Sequence, residues 1–367
     1  MSPAREGLAE PIAPLTTMRV GGLADRLVTA ETTDELVDAI REVDDAQEPL
    51  LVLTGGSNVL VADAGFRGTV VRVATRGIRV ESADACSGAT VRIAAGEPWD
   101  RFVERAVDEG WSGVEALSGI PGGVGSTPIQ NVGAYGQDIA DTLAQVRVWD
   151  RHTGSVRTLA AADMALTYRD SVFKRNPTRY VVLEVVLQLP LASLSAPVAY
   201  ADLAQALGVA QGERVPLARA REAVLEQRRR RGMVLDDADH DTWSCGSFFT
   251  NPLLAEPDFA TLAARVARVA GPEAPPPAWP QPDGVKTSAA WLIERAGFGK
   301  GFGLPGPAAL STKHTLAVTN RGAATAGDVL ALARTVRDGV EAAFGVRLHP
   351  EPVLVGLSLG EHSSAKG

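Results

Sequence analysis

One segment of the chain, Gly113–Gly136, combines residue types that suit a phosphorylated, planar ligand. It contains seven glycines and two prolines, and it carries no charged residue after Glu115. Glycine lets backbone N–H groups approach a ligand closely, and successive turns of such backbone form concavities that bind anions. Ser118, Gln130 and Asn131 add groups that can hydrogen-bond a heteroatom-rich ring. We therefore predict a cofactor cradle, with an Ω-loop filled by its own small side chains as the alternative.

A second segment, Thr54-Gly-Gly-Ser-Asn58, fits the same kind of ligand. It follows the short apolar run Leu50–Leu53, which predicts a buried strand. A strand that ends in two glycines and a serine presents amides and a hydroxyl to a pyrophosphate. Many tight turns have similar sequences, so the prediction depends on the combination with the first segment.

Five further motifs follow along the chain in a fixed order, with polar residues among apolar ones. They are Leu166–Lys174, Ser244–Pro252, Ser288–Glu294, Ser311–His314 and Leu348–Glu351. Together with the glycine-rich segments, they resemble the longer subtype of the UDP-N-acetylenolpyruvylglucosamine reductase family. That family belongs to the vanillyl-alcohol oxidase/p-cresol methylhydroxylase superfamily of FAD-binding proteins. The matches run from about Thr16 to Gly356, which is nearly the whole chain.

The resemblance implies an activity, two cofactors and a substrate. The family reduces the enolpyruvyl ether of UDP-N-acetylglucosamine to UDP-N-acetylmuramate, a step of peptidoglycan precursor synthesis. NADPH supplies the hydride to FAD, and flavin N5 passes it to the substrate. Some members of the superfamily attach FAD covalently through His or Cys, but residues Gly119–Gly136 include neither. We therefore expect the FAD of this chain to be bound non-covalently.

Three residues match the catalytic positions of the family. Ser247 matches the serine that donates a proton to the carbanion, and capping of its own turn is the alternative role. Arg169 matches the arginine that stabilises the developing enolate charge, and an ion pair with Asp163 or Asp170 is the alternative. Glu351 matches a glutamate near the reacting carbons, where a protonated or paired carboxyl group polarises the substrate. Its alternative is a surface position before a proline.

The resemblance also implies binding residues. The substrate-binding residues are Tyr168, Tyr200, Arg231, Asn251 and His314. The cofactor-binding residues are Gly55, Gly56, Ser57, Asn58, Val59, Leu60, Ser118, Gly119, Ile120, Pro121, Gly122, Gly125, Ser126, Ile129, Gln130, Asn131, Gly133, Ala134, Tyr135 and Gly136. Arg231 and Thr250 replace lysines that are common in the family, so the charge near the substrate phosphates differs in this chain.

Two other functions remain open at this point. One is an oxidase of the same superfamily that acts on an alcohol or a sugar lactone, although such an enzyme has no use for the Ser247 motif. The other is a flavin-binding or UDP-sugar-binding regulator without turnover, against which the presence of Arg169, Ser247 and Glu351 argues.

The bulk properties limit the partners and the compartment. A net charge of −8 over 367 residues argues against a general nucleic-acid-binding surface. Cys86 and Cys245 are too few for a disulfide framework, and no apolar run of about 18 residues predicts a membrane span. The N-terminus has no signal-peptide pattern. We expect a cytoplasmic monomer whose partner is a small-molecule substrate.

One run of charge stands out against this acidic background: Arg228–Arg231. Such a run is usually the solvated end of a helix, and contact with a substrate phosphate is the alternative.

Alternating strand and helix patterns predict an α+β fold. The resemblance implies a two-lobed FAD-binding domain followed by a C-terminal α+β substrate-binding domain. We place lobe 1 at 1–75 with 349–357, lobe 2 at 76–231 and the substrate domain at 232–348, with a disordered tail at 358–367. Within this frame, Thr32 and Glu35 predict a capped helix. Further predicted helices are 259–270, 289–296 and 328–344, a proline-rich loop spans 272–282, and a last strand near 353–355 returns to lobe 1.

Overall fold

The computed structural model describes residues 5–270 and 275–360. The expected tail therefore lies largely outside the described residues. The chain divides into two compact units. Among the described residues, the first unit comprises those up to Glu10, Ala24–Gly56 and Arg67–Val234. The second comprises Pro11–Leu23, Ser57–Phe66 and the residues from Leu235 onward.

Helices and strands alternate along both units, as the sequence pattern predicts for an α+β fold. The helices are α1 Thr33–Asp45, α2 Trp99–Asp108, α3 Val172–Arg175, α4 Ala201–Leu207, α5 Leu217–Arg230, α6 Glu256–Ala270, α7 Ala289–Arg295 and α8 Ala326–Phe344. The strands are β1 Arg5–Pro11, β2 Leu23–Ala30, β3 Leu50–Leu53, β4 Val59–Val61, β5 Phe66–Val73, β6 Ile78–Asp84, β7 Gly88–Ala94, β8 Gly133–Ala134, β9 Gln137–Asp138, β10 Leu143–Asp150, β11 Ser155–Ala160, β12 Tyr180–Leu189, β13 Leu253–Leu254, β14 Trp279–Gln281, β15 Gly284–Lys286, β16 Ala308–Leu310, β17 Val318–Asn320 and β18 Val353–Val355.

The first unit is built on two sheets. A four-stranded sheet has the order β1-β2-β5-β3, and its β3 and β5 run parallel. A five-stranded sheet has the order β11-β10-β12-β7-β6, and all its pairs are antiparallel. Helix α2 packs its apolar face, with Trp99 and Phe102 fully buried, into the same core as the inner residues of β7 and β12. Val114, Leu117 and Val124 of the glycine-rich segment are buried in the same core, which anchors the segment.

The second unit combines short strands with longer helices. Its core is formed by α6, α7 and α8 together with the buried Phe248 and Phe249. Strand β18 pairs in parallel with β4, so that Val353 lies opposite Val59. This return of the chain was expected from the resemblance. The pairing joins the C-terminal motif to the end of the Gly55–Asn58 motif.

Most element predictions are confirmed, and the differences have local causes. Thr32 and Glu35 form the expected capping box of α1. Helix α8 begins two residues earlier than predicted because Thr325 caps it, accepting a hydrogen bond from the Asp328 N–H. The proline-rich loop was wrong for Trp279–Gln281, which form β14. Pro280 is tolerated there because β14 is an edge strand of its sheet.

Within the described ranges, no helix combines the length and the apolar composition that a membrane crossing requires.

Candidate active site

In the first unit, the two predicted glycine-rich segments lie directly against each other. A β-carbon built on Gly55 would stand 2.5 Å from the Cα of Gly122, so the backbones meet at a distance that only glycine permits. Gly122 itself has a φ of +117°, which side-chain-bearing residues rarely adopt. The Gly122 carbonyl accepts a hydrogen bond from the Trp99 N–H, at 3.0 Å, and this fixes the segment to the start of α2.

The hydroxyl groups of the cradle are used within the loop. Ser118, Ser126 and Thr127 donate to the carbonyl oxygens of Glu115, Gly123 and Val124, at 2.7, 2.7 and 2.8 Å. These hydroxyls can therefore offer a ligand only their lone pairs. We infer that hydrogen bonds donated to a cofactor come mainly from backbone N–H groups, as is usual where glycine-rich turns hold phosphates.

The Tyr168-Arg169 pair forms the tip of a tight turn. Thr167 and Asp170 exchange both backbone hydrogen bonds, at 3.1 and 3.2 Å, and Arg169 has a φ of +55°. Its guanidinium lies 5.2 Å from the centre of the Tyr168 ring. The turn leaves Tyr168 46% exposed, which suits a ligand contact.

This turn is attached to the glycine-rich segment. Arg169 donates from its two terminal nitrogens to the carbonyl oxygens of Asn131 and Gly133, at 3.1 and 2.8 Å. The Asn131 side chain donates in turn to the Thr167 carbonyl, at 3.1 Å. The candidate anion-stabilising residue is therefore held by the candidate cofactor loop.

The predicted substrate residues of the first unit form one group at the end of the cradle. Tyr200 is 53% exposed and precedes α4. Its ring packs edge-on against Tyr135, with 6.2 Å between ring centres. Arg231 forms an ion pair with Asp202, at 2.9 Å, and its guanidinium lies 6.0 Å from the centre of the Tyr135 ring. The group thus presents an exposed phenol and a cation together.

Arg228 is a residue whose role the sequence did not reveal. Its Nε atom is buried and has no hydrogen-bond partner within the described part of the chain. A β-carbon on Gly119 of the cradle would stand 3.5 Å from this atom. The nearby Asp100 is already bound by both terminal nitrogens of Arg221, at 2.6 and 3.0 Å, and by the Gly119 N–H. Burial lowers the pKa of Arg228 to about 10, so it is still a cation at neutral pH.

Arg229 and Arg230 are exposed, as predicted for the solvated end of a helix, whereas Arg228 is only partly exposed and its Nε is buried. The partial burial of Arg228 could have been predicted from the spacing of the apolar residues along α5. Leu217, Ala220 and Val224 form the buried stripe of α5, and Arg228 is the next position on it.

In the second unit, Ser247 lies in a turn that is anchored on both sides. Thr17 donates its hydroxyl to the Ser244 carbonyl, at 2.7 Å, and the Phe248 N–H donates to the Leu316 carbonyl, at 2.8 Å. Phe248 and Phe249 are both 1% exposed, and their rings pack edge-on at 5.2 Å. Burial of this pair fixes the backbone next to Ser247, whose own side chain is partly exposed.

The nearby cysteine is not an alternative proton donor. Cys245 is buried, and its thiol donates to the Val59 carbonyl with 3.2 Å between sulfur and oxygen. Burial raises the pKa of the Cys245 thiol to about 12. The thiol therefore acts as a packed, hydrogen-bonded group.

Backbone pairing brings Ser247 and Glu351 into the same neighbourhood. The Glu351 N–H donates to the carbonyl of Phe248, the residue after Ser247, at 2.9 Å, and the Thr250 N–H donates to the His349 carbonyl at 3.0 Å. The Asn58 side chain donates to the Glu351 carbonyl, at 3.3 Å. One cofactor-motif residue and two catalytic candidates thus share a single hydrogen-bonded frame.

The two remaining substrate candidates also belong to the second unit. The Asn251 side-chain oxygen accepts from the Ala289 N–H, at 3.0 Å, and so helps to cap α7. The His314 N–H donates to the Ser311 hydroxyl, at 3.3 Å, in the turn that follows β16. The predicted residues therefore form two sets. Arg169, Tyr168, Tyr200, Arg231 and the cradle lie in the first unit, and Ser247, Glu351, Asn251 and His314 lie in the second.

The first unit fits a bound FAD on two structural grounds. The two glycine-rich segments pack backbone against backbone at Gly55 and Gly122, where a β-carbon on Gly55 would collide, and such backbone brings N–H groups together around a phosphate. Arg228 donates from a terminal nitrogen to the Met233 carbonyl, at 2.8 Å, but its buried Nε has no hydrogen-bond partner among the described residues. An acceptor oxygen of a bound cofactor would satisfy this N–H.

Comparisons with known proteins give the same assignment. Residues 24–160 match the FAD binding domain family, and residues 237–355 match the family of the UDP-N-acetylenolpyruvoylglucosamine reductase C-terminal domain. The solved structure of UDP-N-acetylenolpyruvylglucosamine reductase from Thermus caldophilus is similar with a TM-score of 0.63 and 26% identity, over 96% of this chain and 98% of that one. The predicted FAD-binding α+β fold is thereby confirmed.

Sequence relatives extend over almost the whole chain. UDP-N-acetylenolpyruvoylglucosamine reductase from Thermobifida fusca is 57% identical, over 95% of this chain and 98% of the relative. The protein of the same name from Streptomyces coelicolor is 55% identical, over 98% of this chain and 92% of the relative. The resemblance inferred from the motifs is confirmed, and the chain belongs to the UDP-N-acetylenolpyruvoylglucosamine reductase family.

Proposed function

We propose that the chain is an FAD-dependent oxidoreductase that reduces UDP-N-acetylenolpyruvylglucosamine to UDP-N-acetylmuramate with NADPH, as a cytoplasmic monomer. On this proposal, residues 1–75 with 349–357 and 76–231 hold the FAD, and 232–348 bind the substrate. The observation that supports it most directly is the backbone frame that places Ser247 beside Glu351, together with the cofactor-motif residue Asn58. An oxidase or a plain flavin binder has no need of this frame.

The cofactor supplies only hydride chemistry. FAD held by the two glycine-rich segments would supply the transfer of a hydride from NADPH to the terminal vinyl carbon of the substrate, because no side chain can supply a hydride. Everything else falls to the side chains of this chain: binding, orientation and the transfer of one proton.

Ser247 supplies the proton. A serine hydroxyl has a high intrinsic pKa, so it donates only to a strongly basic group. The carbon next to the substrate carboxylate becomes such a group when the vinyl carbon accepts hydride. The turn that carries Ser247 lies between the buried Phe248 and the anchored Ser244, and it holds the serine hydroxyl in one place during the transfer.

Arg169 and Glu351 stabilise the negative charge that develops on the substrate carboxylate. Arg169 is held in position by the Asn131 and Gly133 carbonyl oxygens, and a pre-positioned guanidinium stabilises an enolate without reorganisation. Glu351, on the same backbone frame as Ser247, polarises the carboxylate in its protonated or paired form.

Tyr200→Phe should weaken the use of the UDP-sugar more than the reduction of the flavin. Tyr200 is exposed and packs against Tyr135, whose ring centre lies 6.0 Å from the Arg231 guanidinium, so we expect its hydroxyl to contact the substrate diphosphate. Loss of one such hydrogen bond costs about 1–2 kcal/mol. Stopped-flow measurement of both half-reactions tests this. Equal impairment of both would assign Tyr200 a structural role.

The flavin should be bound without a covalent link. Residues Gly119–Gly136 include no His or Cys, and the two glycine-rich segments meet through backbone alone. Precipitation of the purified protein with acid should release all the yellow colour into the supernatant. Colour that stays with the pellet would contradict this prediction.

The product tests the proposed reaction itself. Purified protein incubated with NADPH and UDP-N-acetylenolpyruvylglucosamine should yield a product that has gained two hydrogens, identified by mass spectrometry as UDP-N-acetylmuramate. Unchanged substrate under conditions in which NADPH reduces the flavin would refute the proposed substrate.

A further inference from the structure

Glu115 is a buried carboxylate that the proposed mechanism does not use. It is 2% exposed and precedes the cradle residues Ser118 and Gly119. Buried carboxylates are retained only where hydrogen bonds or cations balance their charge. The partners of Glu115 are all N–H donors from three separate parts of the first unit, and this pattern carries the inference.

The first two donors join the ends of the glycine-rich segment. The Gly113 N–H donates to Oε2, at 2.7 Å, and the Gln137 side chain donates to Oε1, at 3.0 Å. The Gln137 oxygen accepts in turn from the Ala116 N–H, at 2.7 Å. Because Gln137 directly follows Gly136, Glu115 and Gln137 close the cradle segment into a loop.

The third donor comes from the segment that leads to Tyr200. The Ala196 N–H donates to Glu115 Oε1, at 2.6 Å, a length typical of a charge-assisted hydrogen bond. Two residues later, Val198 is buried against the same cluster as Ala116. A β-carbon on Gly136 would stand 2.7 Å from the β-carbon of Ala199. The segment 196–200 thus rests on both ends of the cradle, with Glu115 as its polar attachment.

We propose that Glu115 is a positioning residue that couples occupancy of the FAD cradle to the position of Tyr200. A cofactor that orders Gly119–Gly136 also orders the Glu115 carboxylate, which binds the Ala196 N–H. The segment 196–200, which carries Tyr200, is thereby held in position. The inference rests on the proposed function for the role of Tyr200, but its attachment to the cradle can be measured with FAD alone.

Glu115→Gln removes this coupling at small cost in volume. An amide has one oxygen and one NH₂ group, whereas Glu115 accepts three N–H donors across both oxygens. The NH₂ group of a glutamine must therefore face at least one N–H donor. Loss of a hydrogen bond to a charged acceptor corresponds to about a 10- to 100-fold increase in local opening.

Hydrogen–deuterium exchange of the peptide that covers 193–203 tests the proposal, in the FAD-loaded protein and in the protein stripped of FAD. In wild type, FAD should slow exchange of this peptide by about tenfold or more, and Ala196 should be its most protected amide. In Glu115→Gln, the FAD-loaded protein should exchange there as fast as the stripped wild type, while the peptide with Gly55 and Gly56 keeps its FAD-dependent protection.

The control is Glu213→Gln, which removes an exposed carboxylate that accepts a hydrogen bond from the Ala210 N–H within its own turn. It should respond to FAD as wild type does. An equal loss of protection with and without FAD in Glu115→Gln would make Glu115 merely structural and overturn the proposal. Wild-type protection that does not respond to FAD would overturn it without any variant. Because no substrate is present, failure of the proposed reaction leaves this result unaffected.

Discussion

Ser247→Ala should divide the catalytic cycle into a normal half and a slow half. NADPH should bleach the flavin absorbance at close to the wild-type rate, because no substrate carbanion forms in that step. Recovery of the absorbance on addition of UDP-N-acetylenolpyruvylglucosamine should slow by roughly 10²–10⁴, the usual contribution of a positioned general acid. The turn around Ser247 is anchored by backbone and by Thr17, so alanine should not disturb it.

Stopped-flow absorbance of both half-reactions measures this split. Ser247→Cys should recover part of the rate, since a thiol at that exposed position can donate a proton, unlike the buried Cys245. An unchanged substrate half-reaction in Ser247→Ala would leave Ser247 with the turn-capping role that the sequence also allowed.

Arg228→Met should weaken FAD binding by about 10- to 100-fold, the usual value of a hydrogen bond to a charged group. The guanidinium is a cation beside Gly119 whose Nε has no partner within the described residues. An anionic cofactor group would satisfy it, and methionine retains the volume of the side chain but neither the charge nor the N–H groups. Fluorescence titration of the stripped protein with FAD provides the dissociation constant.

Arg229→Met is the matched control, because Arg229 is the next residue on α5 and is exposed. It should bind FAD with wild-type affinity. Titration with riboflavin, which lacks the diphosphate, separates contacts to the diphosphate from contacts to the flavin ring. Loss of FAD affinity alone assigns Arg228 to the diphosphate, and a parallel loss of riboflavin affinity assigns it to the flavin ring. Unchanged affinity for both ligands would contradict a cofactor role for Arg228.

Local sequence patterns predicted the parts of the fold that depend on local physics. The capping box at Thr32 and the apolar run Leu50–Leu53, which forms β3, each depend on neighbours within a few residues. The sequence also predicted that the two glycine-rich segments serve the same ligand, which requires them to lie close together. The structure shows them touching at Gly55 and Gly122.

Other features of the site depend on hydrogen bonds between residues that are far apart in the sequence, and the spacing of apolar residues gives no information about such pairs. Glu115 accepts from Ala196, 81 residues away, and Glu351 is bound by Asn58, 293 residues away. Arg228 lay on a visible buried stripe of α5, but its place in a run of four arginines suggested solvent. The start of α8 differed by two residues from the prediction because Thr325, rather than a later residue, caps the helix.

Substrate-dependent oxidation of NADPH by the purified, FAD-loaded protein tests the central claim most directly. Beyond the one equivalent that reduces the bound flavin, we expect NADPH absorbance to fall only when UDP-N-acetylenolpyruvylglucosamine is present, with one NADPH consumed for each UDP-N-acetylmuramate formed. A flavin that is reduced by an alcohol or a sugar lactone and reoxidised by oxygen, or a protein that binds FAD and the UDP-sugar without consuming NADPH, would contradict the account.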